Sequence, residues 1–256
     1  MKILKVLIAC EESQRVCTEF RKLGHEAYSA DIQEPSGGHP EWHIKGDVLE
    51  VLNPKDHLGD FEAPDQYISF KTMDGSYHEV ERWDIIIAHP PCTFLSNAGA
   101  RHLWKGHKLN EERYKQGLEA KEFFMKFLNA NCDKIAVENP IPSRVYDMPP
   151  YSQVIQPYEY GHPYTKKTCL WLKGLPELQP TNKVEPVATW CTSGSYAKTH
   201  NPKYRGVAGD GKGRAKNRSK TFPGIAAAMA KQWSDYLTGK SERQLSLFEE
   251  AEYEEP

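Results

Sequence analysis

The chain has 256 residues, of which 39% are hydrophobic and 27% charged, with a formal net charge of −2. A chain of this length can bury a substantial core within one domain. Its first apolar segment, residues 3–10, is too short to span a membrane and lacks a signal-peptide cleavage pattern. We therefore expect a soluble, cytoplasmic protein that has no membrane partner.

The cysteines and the distribution of charge narrow the class of protein further. The six cysteines form no Cys-x-x-Cys pair and no Cys/His cluster with zinc spacing, so we expect reduced thiols and no metal. Opposite charges are segregated along the chain. Between Lys198 and Lys220 there are eight Lys/Arg residues and a single acid, Asp210, whereas residues 241–256 contain six Glu.

The first elements predict a β-α start. Residues 5–10 form a short apolar strand, and residues 13–23 have helical spacing with Gly24 as a stop signal. Residues 25–32 then predict a second strand that ends at Asp31. A glycine-rich loop follows, and Asp47 lies where the next strand should end.

The later elements continue this alternation. We predict strands over residues 84–88, 134–137 and 169–172, and helices over residues 111–129 and 225–237. Apolar strands alternating with helices indicate an α/β fold with a doubly wound, mostly parallel sheet of Rossmann type. Residues 176–220 read as irregular and polar.

This pattern predicts one main domain with a small basic appendage. The boundaries we expect are a main domain at 1–176, a basic region at 177–222, a terminal helix at 223–238 that packs back on the main domain, and a disordered tail at 239–256.

The most informative segment is the end of the strand at residues 84–88. There the apolar run ends in Pro90-Pro91, which presents Cys92. Ligands collect at the carboxyl ends of parallel strands, so a thiol held there by two stiff prolines is a candidate nucleophile. The alternative is a small buried cysteine after a proline strand stop.

Carboxylates near the ends of earlier strands suggest a cofactor site. Asp31 lies about twenty residues after the first strand, the spacing at which a carboxylate binds ribose hydroxyls. Asp47 could accept a hydrogen bond from an adenine amino group, although each carboxylate could instead cap a turn. The first turn has no glycine and carries Glu11 and Glu12, which would repel a pyrophosphate. This argues against NAD and ATP and favours a cationic cofactor such as S-adenosylmethionine.

Two motifs together resemble those of the cytosine-C5 DNA methyltransferases. Residues 90–99 read Pro-Pro-Cys-Thr-Phe-Leu-Ser-Asn-Ala-Gly, similar to the nucleophile motif of that family, and Glu138-Asn139-Pro140 is similar to its Glu-Asn-Val motif. The resemblance covers about residues 5–175. It implies a Rossmann-like class I methyltransferase fold, S-adenosylmethionine as cofactor, and a covalent bond from Cys92 to C6 of a cytosine that has left the duplex. Glu138 would stabilise the charge at N3.

The resemblance also assigns further site residues. The positions expected to bind the cofactor are Cys10, Glu11, Asp31, Ile32, Asp47, Val48, His89 and Pro90. Lys166 and Lys167 occupy the place of the family's basic motif that holds the cytosine O2, although they could equally be solvated strand-edge lysines.

The sequence also departs from the family pattern. The family's Phe-x-Gly-x-Gly loop is missing, His89 replaces a small residue, and Thr93 replaces Gln. The target-recognition region is reduced, so the resemblance implies a short member of bacterial or phage type.

Two segments near the chain end suggest partners. The basic region between Lys198 and Lys220 has Tyr204 and other aromatic residues nearby, which suits DNA phosphates and base stacking with little sequence discrimination. Its alternative is a solvated surface loop. The pentapeptide between Gln244 and Phe248 resembles the motif by which bacterial proteins bind the DNA polymerase sliding clamp. Its alternative is a helix extension that packs on the body.

Three other functions remain open. An amino-methyltransferase carries a Pro-Pro-aromatic motif at the same strand end and needs no thiol. A nucleotide- or RNA-modifying enzyme could use the same fold. A non-catalytic DNA or clamp adaptor would explain the unusual first loop.

Overall fold

The computed structural model describes residues 2–55, 67–100, 102–190 and 214–240. The strands are β1 (Lys5–Ala9), β2 (Glu26–Asp31), β3 (His43–Lys45), β4 (Ile68–Lys71), β5 (Tyr77–Val80), β6 (Ile85–Ala88), β7 (Trp104–Lys105), β8 (Lys108–Leu109), β9 (Ile135–Pro140), β10 (Gln153–Ile155), β11 (Tyr164–Thr165), β12 (Thr168–Lys173) and β13 (Ala188–Thr189). The helices are α1 (Arg15–Lys22), α2 (Asn97–Ala100), α3 (Glu111–Leu128), α4 (Arg214–Ser219) and α5 (Pro223–Leu237). Single 3-10 turns cover Pro40–Trp42, Val48–Val51, Arg144–Tyr146 and Pro157–Glu159.

A seven-stranded sheet forms the centre, in the order β3-β2-β1-β6-β9-β12-β10. All pairings are parallel except those of β12, which runs antiparallel to both β9 and β10. The sheet extends from β1 to β2 and β3 on one side and to β6 and β9 on the other, and β12 lies between β9 and the edge strand β10. The predicted α/β class with a doubly wound, mostly parallel sheet is confirmed.

Helices cover both faces of this sheet because its central strands are apolar on both sides. On one face, Leu7 and Ile86 pack with Phe124 and Phe127 of α3. On the other face, Ile8 packs with Phe20 of α1 and with Met229 and Trp233 of α5. The terminal helix is thus part of the core.

The termini of α1 show how the sequence sets local structure. The Glu11 carboxylate accepts the amides of Val16 (2.7 Å) and Cys17 (3.2 Å) in the first turn. At the other end Gly24 has φ +83°, the left-handed conformation that a glycine adopts at low cost, and its amide bonds the Arg21 carbonyl. The helix is therefore closed by residues next to it in sequence.

The structure corrects several expectations. Residues 176–220 are not wholly irregular, since β13 and α4 lie there. The strand expected to end at Val137 continues through Pro140, because Glu138–Pro140 pair with Thr168–Leu170 of β12. The hairpins β4–β5 and β7–β8 and the short edge strand β10 were not predicted, because two to four residues carry too little periodicity.

Other expectations lie outside the described residues. These are the tail from residue 241 onward, with the pentapeptide from Gln244 to Phe248, and most of the basic region, residues 198–213. Within the described part of the chain, no helix is long and apolar enough to cross a membrane.

Candidate functional site

The strand register brings the predicted residues to one edge of the sheet. Ala9 pairs with Ala30 and with Ala88, and Ala88 pairs with Val137. The next residue of each strand, namely Cys10, Asp31, His89 and Glu138, therefore lies at the same carboxyl edge. Residues from four strands thus meet where the sequence placed the site.

A tight loop after β6 positions Cys92. The Ser96 amide donates to the Cys92 carbonyl (3.1 Å), which turns the chain into α2. A Cβ at Gly99 would lie 2.1 Å from the Thr93 carbonyl oxygen, so only glycine fits this close approach. The Arg113 guanidinium of α3 donates to the carbonyls of Thr93 (3.3 Å) and Gly99 (3.2 Å) and so ties both ends of the loop together.

A second tie joins this loop to the segment after β9. The Asn139 amide is 2% exposed and donates from Nδ2 to the Pro90 carbonyl (2.9 Å). Backbone bonds continue the contact, from the Asn97 amide to the Ile141 carbonyl (3.1 Å) and from the Ser143 amide to the Leu95 carbonyl (2.7 Å). The two motifs are therefore held against each other, and Asn139 acts as a support that sequence reasoning did not assign.

His89 and Glu138 form a buried pair. His89 Nδ1 lies 3.1 Å from Glu138 Oε2, and the two side chains are 7% and 14% exposed. Burial raises the pKa of the Glu138 carboxyl, but the hydrogen bond to His89 and the charge of Lys166 outweigh it, so the pKa lies below its ordinary value. Glu138 is therefore ionised at neutral pH.

The Cys92 thiol is within electrostatic range of the Glu138 carboxylate. Burial raises the pKa of Cys92, and the negative charge of Glu138 raises it further. The positive charges of Arg218 and Lys166 act in the opposite direction. The Cys92 thiol is therefore acted on by the negative charge of one carboxylate and the positive charges of two side chains.

The two predicted lysines differ in position. The Lys166 ammonium donates to the Arg218 carbonyl (2.9 Å) in the last turn of α4, and its charge reaches both Cys92 and Glu138. Lys167 is exposed, and its charge acts on Cys169. The structure therefore brings Lys166, but not Lys167, to the Cys92 environment.

Sequence reasoning missed Arg218 as an individual residue. It belongs to the predicted basic region, yet no motif marks it among eight Lys/Arg residues. Its Nε is buried without a hydrogen-bond partner among the described residues. Only the packing of α4 beside Lys166 reveals it.

The other half of the edge carries the residues expected to bind a cofactor. Burial raises the pKa of the Cys10 thiol, and the charges of Asp31 and Asp47 add to this effect, so the three groups are close. Asp31 and Asp47 each use Oδ1 to accept a nearby amide, from Gln33 (2.8 Å) and Leu49 (3.0 Å). Ile32 is 75% exposed beside Asp31. Val48 is buried in the turn that Asp47 caps, and Pro90 is buried at the end of β6.

The first loop, residues 10–14, contains no glycine, yet two of its residues have backbone conformations that favour glycine. Cys10 (φ +59°) and Gln14 (φ +56°) both adopt the left-handed region that favours glycine. Glu11 is 4% exposed, burial raises its pKa, and its carboxylate is occupied in capping α1. Both carboxylate oxygens of Glu11 are thus in use, and Glu11 can act on a cofactor only through its charge.

A buried glutamine fixes the loop that follows Asp31. Gln14 Nε2 donates to the His39 carbonyl (2.8 Å), and the His39 amide donates to Gln14 Oε1 (3.1 Å). A Cβ at Gly37 would lie 2.6 Å from the Cβ of Gln14, so this loop packs directly on the first one. No sequence motif signals this contact.

Among the described residues, no cluster of three or more His, Cys, Asp or Glu side chains could hold a metal ion.

Comparison with known proteins adds little. No family model matches the sequence, and no curated protein matches it at a significant level. Among solved structures, the chain is similar to the Entamoeba histolytica methyltransferase EhMeth, with 15% identity and a TM-score of 0.41 over 72% of this chain and 58% of that one. The matched part thus spans 58% of that protein's length. A likeness this distant does not establish an activity.

Proposed function

We propose that this protein is an S-adenosylmethionine-dependent methyltransferase that acts on C5 of cytosine in DNA. The observation that carries the proposal is the hydrogen bond from Asn139 to the Pro90 carbonyl (2.9 Å), which holds the loop of Cys92 against the segment of Glu138. The charge of the Glu138 carboxylate also acts on the Cys92 thiol. Both groups lie at the carboxyl edge of the sheet, where reacting atoms collect in this class of fold.

The chemistry requires a nucleophile because C5 of cytosine is itself a poor one. The Cys92 thiolate adds to C6, and electron density moves to C5, which then attacks a methyl group. Glu138 holds N3 through a proton and stabilises the charge on the ring. Loss of the C5 proton and elimination of the thiolate release the product.

The two cations assist this addition. Lys166 and Arg218 oppose the rise in the pKa of Cys92 and so favour its thiolate. We further propose that the Lys166 ammonium turns from the Arg218 carbonyl to hydrogen-bond the cytosine O2. It would thereby take the place of the basic motif that holds the cytosine O2 in the resembled family.

The donor set at the other half of the edge fits a cationic nucleoside cofactor. Asp31 would hold the ribose hydroxyls and Asp47 the adenine amino group, while the exposed Ile32 and buried Val48 would pack against the adenine ring. The buried Glu11 and the backbone beside Cys10, His89 and Pro90 would complete the site. When bound, S-adenosylmethionine supplies an electrophilic methyl group.

The basic region between Lys198 and Lys220 is our proposed DNA contact. Arg218 and α4 lie at its end, beside Lys166, which supports the proposal that it lies next to the site. Few of its groups can read base edges, so we expect low sequence specificity and a target base that leaves the duplex.

A second proposed partner is the DNA polymerase sliding clamp, which would bind the segment from Gln244 to Phe248. Changing Leu247 and Phe248 to Ala should abolish clamp pull-down and leave methylation of short oligonucleotides unchanged. Equal pull-down by the variant would remove this partner.

Replacing Cys92 with Ala tests the proposed reaction. The C5 route should lose at least about 10³-fold of its rate, because the covalent step is gone. The methylated product of the native protein should be 5-methylcytosine by mass spectrometry. Retention of activity together with an N-methylated base would identify an amino-methyltransferase instead, and Cys169→Ala serves as the control for loss of a buried thiol.

A further inference from the structure

His89 occupies a position where the resembled family carries a small residue, and its imidazole contacts the key carboxylate. Nδ1 lies 3.1 Å from Glu138 Oε2, and the His89 side chain is 7% exposed. Nε2 is buried and has no hydrogen-bond partner among the described residues. An imidazole built into such a place serves more than packing, since an unpaired buried nitrogen costs free energy.

One carboxylate contacts this imidazole, and a second is within electrostatic range of it. Glu138 contacts it from β9, and the charge of His89 also reaches Glu11 in the loop after β1. The other charged groups around Glu138 are Cys92, Lys166 and, through Cys92, Arg218. The His89–Glu138 hydrogen bond is therefore a path along which a proton can move between an imidazole and a carboxylate.

The proposed reaction needs a proton that Glu138 does not hold. Glu138 is ionised near neutral pH, whereas N3 of the ring must be protonated when the thiolate adds to C6. His89 is the proton carrier within hydrogen-bond distance of the carboxylate.

We propose that His89 supplies, through Glu138, the proton that N3 takes up during thiolate addition. The doubly protonated imidazole releases its Nδ1 proton to Glu138 Oε2, and Glu138 passes a proton to N3. His89 becomes neutral and the ring gains the positive charge that addition at C6 neutralises. When the thiolate leaves, the proton returns by the same path. This inference rests on the proposed function.

The test uses a variant of His89 that keeps the hydrogen bond to Glu138 but cannot take up or release a proton. In His89→Asn, the amide can still donate to Glu138 but does not titrate. The measurement is the exchange of the C5 hydrogen of cytosine for solvent deuterium in an oligonucleotide, without cofactor, from about pH 5.5 to about pH 9. His25→Asn is the control, because His25 is a buried histidine that accepts the Leu4 amide and lies before β2, at the opposite edge of the sheet.

The native protein should show a bell-shaped profile, with a rising limb from the Cys92 thiol and a falling limb from His89. His89→Asn should be about 10²-fold slower and should keep only the rising limb. The His25 variant should match the native profile. An unchanged falling limb in His89→Asn, or a native profile without one, overturns the inference, because a residue that only positions Glu138 would leave the pH profile unaltered.

Two further observations separate the possible failures. Native exchange with an unaltered profile in His89→Asn rejects this inference alone. Absence of exchange in the native protein rejects the proposed C5 reaction, and this inference with it. If His89→Asn loses its cooperative melting transition, His89→Gln takes its place with the same expected and contradicting results.

Discussion

Two thiols at the same edge of the sheet have opposite electrostatic surroundings. Cys10 follows β1, Cys92 follows the end of β6, and burial raises the pKa of both. Around Cys10 the neighbouring charges are the carboxylates Asp31 and Asp47, which raise its pKa still further. Around Cys92 one carboxylate is opposed by two cations, Lys166 and Arg218. Burial alone therefore does not decide which thiol reacts.

The comparison suggests a division of the edge into two halves. The acidic half around Cys10 keeps its thiol protonated and suits a ligand with positive charge. The half around Cys92 combines an acid, a nucleophile and cations, and this combination serves addition to a ring that changes charge. The following changes should break or sharpen this contrast.

The largest effect should come from Glu138→Gln. The amide keeps the shape of the side chain but can no longer carry the proton for N3, so methyl transfer should fall by about 10²–10⁴-fold. Transfer of labelled methyl groups to DNA measures this. Glu159→Gln, which affects the cap of a 3-10 turn, is the control. A loss of the same size in both variants would show that Glu138 acts through the fold.

Asn139→Ala should destabilise the half around Cys92. It leaves the buried Pro90 carbonyl without its 2.9 Å hydrogen bond, which should cost about 1–3 kcal/mol of unfolding free energy. Urea unfolding measures the loss, and Asn97→Ala, at an exposed position, is the control. A variant as stable as the native protein would contradict the role given to Asn139.

Asp31→Asn should weaken the half around Cys10. We expect about a tenfold lower affinity for S-adenosylmethionine by calorimetry, because one charge-assisted hydrogen bond becomes neutral. Asp84→Asn, at the opposite end of the sheet before β6, should leave affinity unchanged. The proposed cofactor site would be in the wrong place if Asp84 mattered and Asp31 did not.

The smallest effect, and the most specific, concerns the pKa of the two thiols. Because Glu138 raises the pKa of Cys92, Glu138→Gln should lower it, and alkylation by iodoacetamide should then begin at lower pH. Lys166→Met should move the Cys92 alkylation profile to higher pH.

The Cys10 profile should respond to neither change, since its neighbours are Asp31 and Asp47. Peptide mass spectrometry resolves the two sites. The contrast between the thiols would be wrong if both profiles shifted together.

The sequence predicted those parts of the fold and site that depend on neighbours along the chain. The long apolar strands were readable because burial on both faces leaves continuous apolar runs, although β9 extends three residues beyond its predicted end at Val137. Cys10, Asp31, His89 and Glu138 meet because each comes one residue after the paired positions Ala9, Ala30, Ala88 and Val137 of neighbouring parallel strands.

The remaining features depend on contacts between distant segments. The bond from Asn139 to Pro90, the seating of Lys166 on α4 and the proximity of Arg218 to Cys92 join residues about fifty or more positions apart. Lys166 and Lys167 are adjacent in sequence, and only tertiary packing separates their roles. The Gln14–Gly37 contact likewise has no local signal.

The most direct measurement is a trapping experiment with DNA that contains 5-fluorocytosine, incubated with the protein and S-adenosylmethionine. Fluorine does not leave C5 as a proton does, so the intermediate should persist as a covalent adduct, and peptide mapping should place the modified pyrimidine on Cys92. A protein that methylates cytosine in ordinary DNA but forms no such adduct, or forms it on Cys10, would contradict the account.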